Sequence, residues 1–209
     1  RCALRPGSGL AEWNISVRPR SERLGLWELA FPVVRGIAPD PSVDEPDFML
    51  GFFKQGARLP NPRTAGLRTA TFRTKPFQVY WQGRAGLYLG IHDPASASSK
   101  QQRLPAGPRG ILVSTMYPVP RMGQPGVGYD MPFNVVLGTF EGDWYDGVQI
   151  YRNDYLLKQA WWPKAPLHAN PDIPAWLKEA VVAHRRTGVP VESLLAQHEE
   201  LGCPPSLLW

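Results

Sequence analysis

Cysteine is close to missing from this sequence: Cys2 and Cys203 are its two thiols in 209 residues. Neither stands among other ligand-type residues at metal-binding spacing, so they support neither a zinc site nor a disulfide scaffold, and two free thiols are expected. Long apolar runs are missing too. No segment approaches the ~20 residues a membrane helix needs, so no membrane partner is expected. Histidine is sparse, with 4 in the chain, and no two stand at i, i+4, the spacing that would place two imidazoles on one helix face. Neither a Gly-x-Ser-x-Gly nucleophile elbow nor a Gly-rich phosphate loop occurs. No metal and no cofactor is expected. The net charge of +5 comes from scattered residues, mostly arginine, with no dense basic run, so no nucleic-acid partner is expected. No internal repeat is visible.

What the chain does have is 23 Pro and 20 Gly, both of which interrupt helix interiors and disfavour long helices in the first two thirds. Short strands are expected there: Ala11 to Val17, then Leu24 to Val34, where Trp27, Leu29 and Phe31 alternate with Leu26, Glu28 and Ala30. Arg35 to Asp47 and Arg58 to Arg68 read as Pro-rich loops around a short apolar segment, Phe48 to Phe53. Gln78 to Trp81 and Gly86 to Asp93 flank Gln82-Gly-Arg-Ala85, and two β-prone runs around a glycine-bearing connector predict a hairpin. Ala95 to Gly110 reads as an exposed loop or irregular strand, Ile111 to Tyr117 as a strand, and Phe133 to Leu137 as the last strand. Strands spaced by turn-rich loops over roughly the first 140 residues indicate an antiparallel β-sandwich, here residues 1–142.

The character then changes. Gly138 to Gly142 supplies a break, Asp143 is placed to cap a helix, and Asp146 adds negative charge to its first turn. Trp144, Val148, Tyr151, Tyr155 and Leu156 recur at three- and four-residue steps, giving one greasy, aromatic helix face that Pro163 is expected to end. Residues 143–202 read as a helical linker, with Ala175 to Arg185 a second helix unless Val181-Val182 forms a short strand. Pro190 opens a further helix, Val191 to Leu201, closed by Gly202. Ser206 to Trp209 reads as a strand opening a new domain, 203–209. Arg1 in place of an initiator methionine, no charged-then-apolar leader before the first strand, and the stop after Leu207-Leu208 lead to the expectation that both ends are cut from a longer polypeptide.

Several residues have chemistry to weigh. Glycoside hydrolysis needs two carboxyl groups about 5 to 10 Å apart, and Glu141, Asp143 and Asp146 are close in sequence; helix capping explains them as well. His92 beside Asp93 is a candidate for acid/base work or for a sugar hydroxyl, against the plainer reading that Asp93-Pro94 starts a turn. Trp81 and Tyr88 on the hairpin, with Trp13 and Trp27, are candidates for a sugar-stacking platform, against the alternative that they fill the core. Trp144, Tyr145, Tyr151, Trp161 and Trp162 are expected to glue the helix to its neighbours, and Arg152 to pair with a carboxylate across the junction.

Gly86-Leu-Tyr-Leu-Gly-Ile-His-Asp-Pro94, Leu137-Gly-Thr-Phe-Glu-Gly-Asp-Trp-Tyr-Asp-Gly-Val-Gln-Ile-Tyr-Arg152 and Gln159-Ala-Trp-Trp162 together resemble a group of bacterial glycosidase-like proteins of unknown function. A more distant likeness is to endo-α-N-acetylgalactosaminidases. The resemblance runs from about Phe77 onward and implies a mainly β, galactose-mutarotase-like sandwich, a helical linker and then a (β/α)8 barrel, whose first strand Leu201-Gly-Cys-Pro-Pro-Ser-Leu-Leu-Trp209 approaches. In such barrels the catalytic carboxylates lie at the C-terminal ends of strands, so the resemblance implies no catalytic residue in this chain. It implies a non-catalytic support for a glycoside hydrolase, with a glycan or polysaccharide and the absent barrel as partners. Substrate contacts would come from His92, Asp93, Trp81 and Tyr88, and the domain interface from Asp143, Trp144, Tyr145, Tyr151, Arg152, Trp161 and Trp162. Secretion or a periplasmic location fits such a protein. The alternative is a self-contained carbohydrate-binding module.

Overall fold

The computed structural model describes residues 1–37, 46–50, 58–62, 76–95, 101–103, 105–107, 109–179, 183–184, 190–202 and 207–208. Much of the two expected Pro-rich loops, Val181-Val182, Cys203 and Trp209 fall outside them. The described residues form two units, 1–159 and 160–209.

The first unit is mainly β and antiparallel. Its larger sheet has seven described strands: β1 (Cys2–Leu4), β2 (Leu10–Trp13), β5 (Asp47–Leu50), β6 (Arg58–Pro60), β7 (Phe77–Gln82), β8 (Ala85–His92) and β13 (Asn134–Glu141), in the order β1-β2-β13-β8-β7-β5-β6. The smaller sheet contains β4 (Glu28–Ile37), β9 (Gln101–Arg103), β10 (Ala106–Gly107) and β11 (Gly110–Pro118), with β11 at its centre. A separate pair joins β3 (Ser16–Val17) to β12 (Tyr129–Asp130). The expected hairpin is present as β7 and β8, turning at Gly83-Arg84.

Two-residue periodicity sorts the side chains of the large sheet onto two faces. Met49, Leu89, Ile91 and Val135 face one way and meet Ile37, Ile111, Val113 and Tyr117 of the smaller sheet, so one core lies between the sheets. Leu10, Leu50, Val79, Trp81, Tyr88 and Val136 face the other way, where Tyr151 and Tyr155 cover them. These residues belong to or follow α1 (Trp144–Asp154), which lies against β7, β8 and β13. The central strands are therefore buried on both faces.

Several boundaries differ from the sequence expectation. The first strand breaks at Asn14, whose side-chain amide donates to the carbonyls of Met131 and Phe133 and so ties the chain to the strand beyond it. Residues 24–27 are not part of β4; their backbone bonds instead to the 119–126 loop, with Val119 N–H donating to Trp27 O and Gly123 N–H to Leu26 O. Pro32 lies inside β4 because that strand is at the edge of its described sheet, where a missing N–H costs no ladder bond. The strand β13 does not stop at Leu137 but continues to Glu141, and Phe140 settles over Gly86 of β8. The helix ends at Asp154 rather than running to Pro163, because Tyr155 leaves helical geometry and turns its ring inward.

The second unit holds α2 (Ala175–Glu179), β14 (Ala183–His184), α3 (Val191–Leu201) and β15 (Leu207–Leu208). Gly202 follows α3 with φ of 58°, the left-handed conformation expected of a helix-ending glycine. The strands β14 and β15 pair in parallel.

The helix approaches the large sheet at Gly147, where a Cβ would lie 2.6 Å from Val79 Cγ1 and 2.9 Å from Phe140 Cζ. In an exposed helix Gly→Ala would stabilise by ~1 kcal/mol. Here the added methyl has nowhere to go, so Gly147→Ala is expected to destabilise the protein by about 1–3 kcal/mol. Equilibrium urea denaturation reads the sign directly, and a gain in stability would contradict this packing.

Candidate functional site

The helix-side face of the large sheet becomes polar at one end. On β8 the residues facing the helix are Gly86, Tyr88, Gly90 and His92, alternating with the inter-sheet core residues Leu87, Leu89 and Ile91. A Cβ on Gly90 would lie 2.0 Å from the Tyr88 hydroxyl, so the phenol lies flat across Gly90 only because that side chain is absent. This brings Tyr88 Oη within 3.0 Å of His92 Nε2. From above, Tyr151 and Tyr155 close over the imidazole, at ring-centroid distances of 5.9 and 4.9 Å from it. Phe77 stacks on Tyr151 at 4.6 Å. The Tyr155 hydroxyl donates to the backbone carbonyl of Asp93, whose side chain is buried.

Arg5 borders this cluster. Its Nε donates to Glu12 of β2 at 2.9 Å and its Nη1 to Asp154 at the end of α1, so one guanidinium joins the strand to the helix. The second oxygen of Glu12 accepts from Asn134 of β13 at 3.0 Å. Asp154 sits where the helix dipole disfavours an acid, and Arg5 offsets that. Burial, reinforced by the charges of Arg5 and Lys158, lowers the His92 pKa from its ordinary 6.5 to about 3. Burial also pushes the hydroxyls of Tyr88, Tyr151 and Tyr155 upward. The imidazole is thus neutral near pH 7 and the phenols protonated. Tyr88 Oη and Nε2 of His92 share one hydrogen bond, whose donor is set by the imidazole tautomer. A neutral imidazole held in this way is a poor general acid at pH 7, though it remains a hydrogen-bonding group.

The structure therefore gathers His92, Asp93, Tyr88 and Tyr151 and separates the other candidates. Trp81 (4 % exposed) and Tyr88 (0 %) lie under the helix, Trp81 stacked on Phe48 at 5.4 Å, and neither has a ring face open to a sugar. Trp13 packs partly buried against the inter-sheet core. Only Trp27 of the four stands in solvent, at 65 % exposed.

Asp143 and Asp146 form the capping box of α1: Asp143 Oδ1 accepts from Tyr145 N–H at 2.8 Å and Asp146 Oδ2 from Asp143 N–H at 3.0 Å. Trp144 and Tyr145 lie edge to face on each other, both exposed. Arg152 does not meet a carboxylate among the described residues; it donates to Gln149 and Asn153 beside it on the helix. Trp161 and Trp162 touch edge to face in the second unit, Trp161 exposed. Among the described residues no group of acids, thiols and imidazoles could hold a metal ion.

Sequence reasoning missed Arg5, Glu12, Asn134 and Asp154. An acid in the last turn of a helix was the available signal, since it implies a cationic partner from elsewhere.

Residues 129–209 match the model of a family described as a domain of unknown function (DUF6259). The match begins in β12 and continues through β13, α1 and the second unit. No curated protein matches the chain.

The depressed His92 pKa has a pH signature. Between about pH 6.5 and 3 the imidazole of the unfolded chain takes a proton that the folded one refuses, so the unfolded state binds more protons and stability falls as pH falls through this window. The contribution is complete above pH 6.5. Replacing His92 by Gln removes the titration, so the melting temperature of His92→Gln should decline less between pH 6.5 and 4 than that of the native chain, as followed by calorimetry. Equal slopes would show that the imidazole is not held neutral.

Proposed function

We propose that this chain is the strand-built, non-catalytic support and linker of a glycoside hydrolase, a galactose-mutarotase-like sandwich leading into a (β/α)8 barrel that it steadies beside a glycan cleft. The observation that carries the reading is the order β14, α3, β15 in the second unit. Two parallel strands joined through a helix make a βαβ unit, the element that such barrels repeat. Five carboxylates of the first unit support the non-catalytic part, because they are occupied in holding elements together. Glu12 and Asp154 share Arg5, Asp143 and Asp146 cap α1, and Asp47 accepts from Tyr80 at 3.0 Å. An acid committed to a cap or an ion pair is not poised to protonate a leaving oxygen. In this reading Trp144, Tyr145 and Trp161 are exposed because the surfaces they meet belong to the rest of the hydrolase.

A second reading, a carbohydrate-binding module complete in itself, is favoured by Trp27. Its indole rests on Gly123, where a Cβ would come within 2.7 Å of the ring. The backbone beneath is fixed by Gly123 N–H to Leu26 O at 2.9 Å and Gly126 N–H to Leu24 O at 3.1 Å. An exposed, pre-positioned ring suits stacking on a sugar face.

The 209-residue chain should hydrolyse no member of a panel of aryl glycosides and polysaccharides, whereas a polypeptide continuing past Trp209 should. Turnover by the short chain would overturn the support reading. The binding-module reading expects saturable glycan binding by the short chain in calorimetric titration, weakened roughly tenfold or more by Trp27→Ala through lost stacking; unchanged affinity would remove it.

A further inference from the structure

A half-open cavity lies at one end of the smaller sheet. It encloses about 440 Å³ and is lined by Pro105, Ala106, Ile111 and Leu112 together with two arginines, Arg35 and Arg109. Two backbone irregularities bring these arginines to one place. In the ladder between β4 and β11, Ile111 faces Ile37 but Val113 faces Val34, so β4 carries one extra residue between them. That is a bulge, the device by which a strand redirects a side chain, and it contains Arg35 and Gly36. Gly36 has φ of 76° and Gly110, beside Arg109, has φ of 92°, both in the left-handed region that favours glycine. At Gly110 a Cβ would also lie 2.4 Å from Ile37 O. The hairpin end that bears Arg109 is thus pressed against the bulge that bears Arg35.

Two like charges beside one cavity repel, and a compensating carboxylate is the usual remedy. Among the described residues, no acid lines the cavity and neither arginine has an ion-pair partner. The remaining lining is apolar. A ligand that suits both halves has a carboxylate, to which the guanidinium forks can donate bidentately, and a compact body with an apolar face. The volume falls within the range of small-molecule sites.

We propose that this cavity binds the acidic sugar of a glycan, a hexuronate whose carboxylate pairs with Arg35 and Arg109 while its ring lies on Pro105, Ala106 and Leu112. The proposal rests on the glycan reading above and narrows its ligand class to acidic polysaccharides. The test is calorimetric titration of the 209-residue chain with short oligosaccharides of galacturonate, glucuronate and mannuronate, with uncharged gluco- and galacto-oligosaccharides of equal length, and with inorganic sulfate. Both arginines are exposed, so Arg35→Gln and Arg109→Gln should fold, which their melting temperatures check.

The expected result is binding of at least one uronate series, weakened roughly tenfold by each substitution and weakened by added salt as the charges are screened. Arg35→Lys should recover only part of the affinity, since it keeps the charge without the fork. Uronate binding unchanged in both Gln variants, or uncharged oligosaccharides binding as tightly as acidic ones, would overturn the proposal while leaving the glycan reading in place. Sulfate binding as tightly as the uronates would also overturn it, reducing the cavity to a bare anion site. Binding of no saccharide at all would overturn the proposal and the binding-module reading together, with hydrolysis by the longer polypeptide still deciding the support reading.

Discussion

The closeness of one helix to one sheet governs half of the first unit. With no room for a methyl group at Gly147, α1 lies directly on Val79 and Phe140, and whatever shares that layer must be flat or small. The layer is accordingly built of rings. Phe77, Tyr88, Tyr151 and Tyr155 lie over one another and over His92, each within about 7 Å of the next, the range in which offset and edge contacts between aromatic rings are favourable. Because the opposite face of the same sheet meets the smaller sheet, β8 and β13 are enclosed on both sides. A one-residue slip in either strand would exchange two cores at once, so the double burial strongly specifies their register.

Burial at this depth leaves polar groups few choices, and the choices made here are structural. The imidazole of His92 gives up its charge and takes the Tyr88 hydroxyl as partner, while Tyr155 reaches across to the Asp93 carbonyl. Arg5 sits where the layer opens to water and joins the first hairpin to the end of the helix. Such an assembly fixes geometry well and moves protons poorly near pH 7. The supporting role proposed above asks no more of this face, and among the described residues charge or aromatic surface is left uncommitted elsewhere: at Trp27 on its loop, and at Arg35 of β4 with Arg109 just before β11.

Much of this was legible in the chain. The glycine-linked runs 78–81 and 86–93 predicted the hairpin, the acids at 143 and 146 the capped helix start, and Gly202 the end of α3, each because the signal is local: a turn conformation, an orphaned N–H, a left-handed residue. Boundaries decided by distant partners were not legible. Gly138 read as a break, yet β13 runs through it because neighbours on either side pair with it. The aromatic periodicity continued past Asp154, yet the helix stops there because Tyr155 is drawn into the core. Trp81 and Trp27 looked alike as sugar-stacking candidates, and one is enclosed while the other stands in water.

The sequence by itself determined the mainly β character, the hairpin, the capped helix and the poverty of metal-type ligands, since these depend on residue type and on spacing over a few positions. Only the tertiary structure decided which rings are hidden, that Arg5 joins Glu12 to Asp154, and that Arg35 and Arg109 share a cavity. Those outcomes require segments up to about 150 positions apart to meet, and they turn on one extra residue in a strand or one missing Cβ beneath a ring. No local pattern records such events, because the energy that selects them arises from contacts between surfaces that form only when the chain has folded.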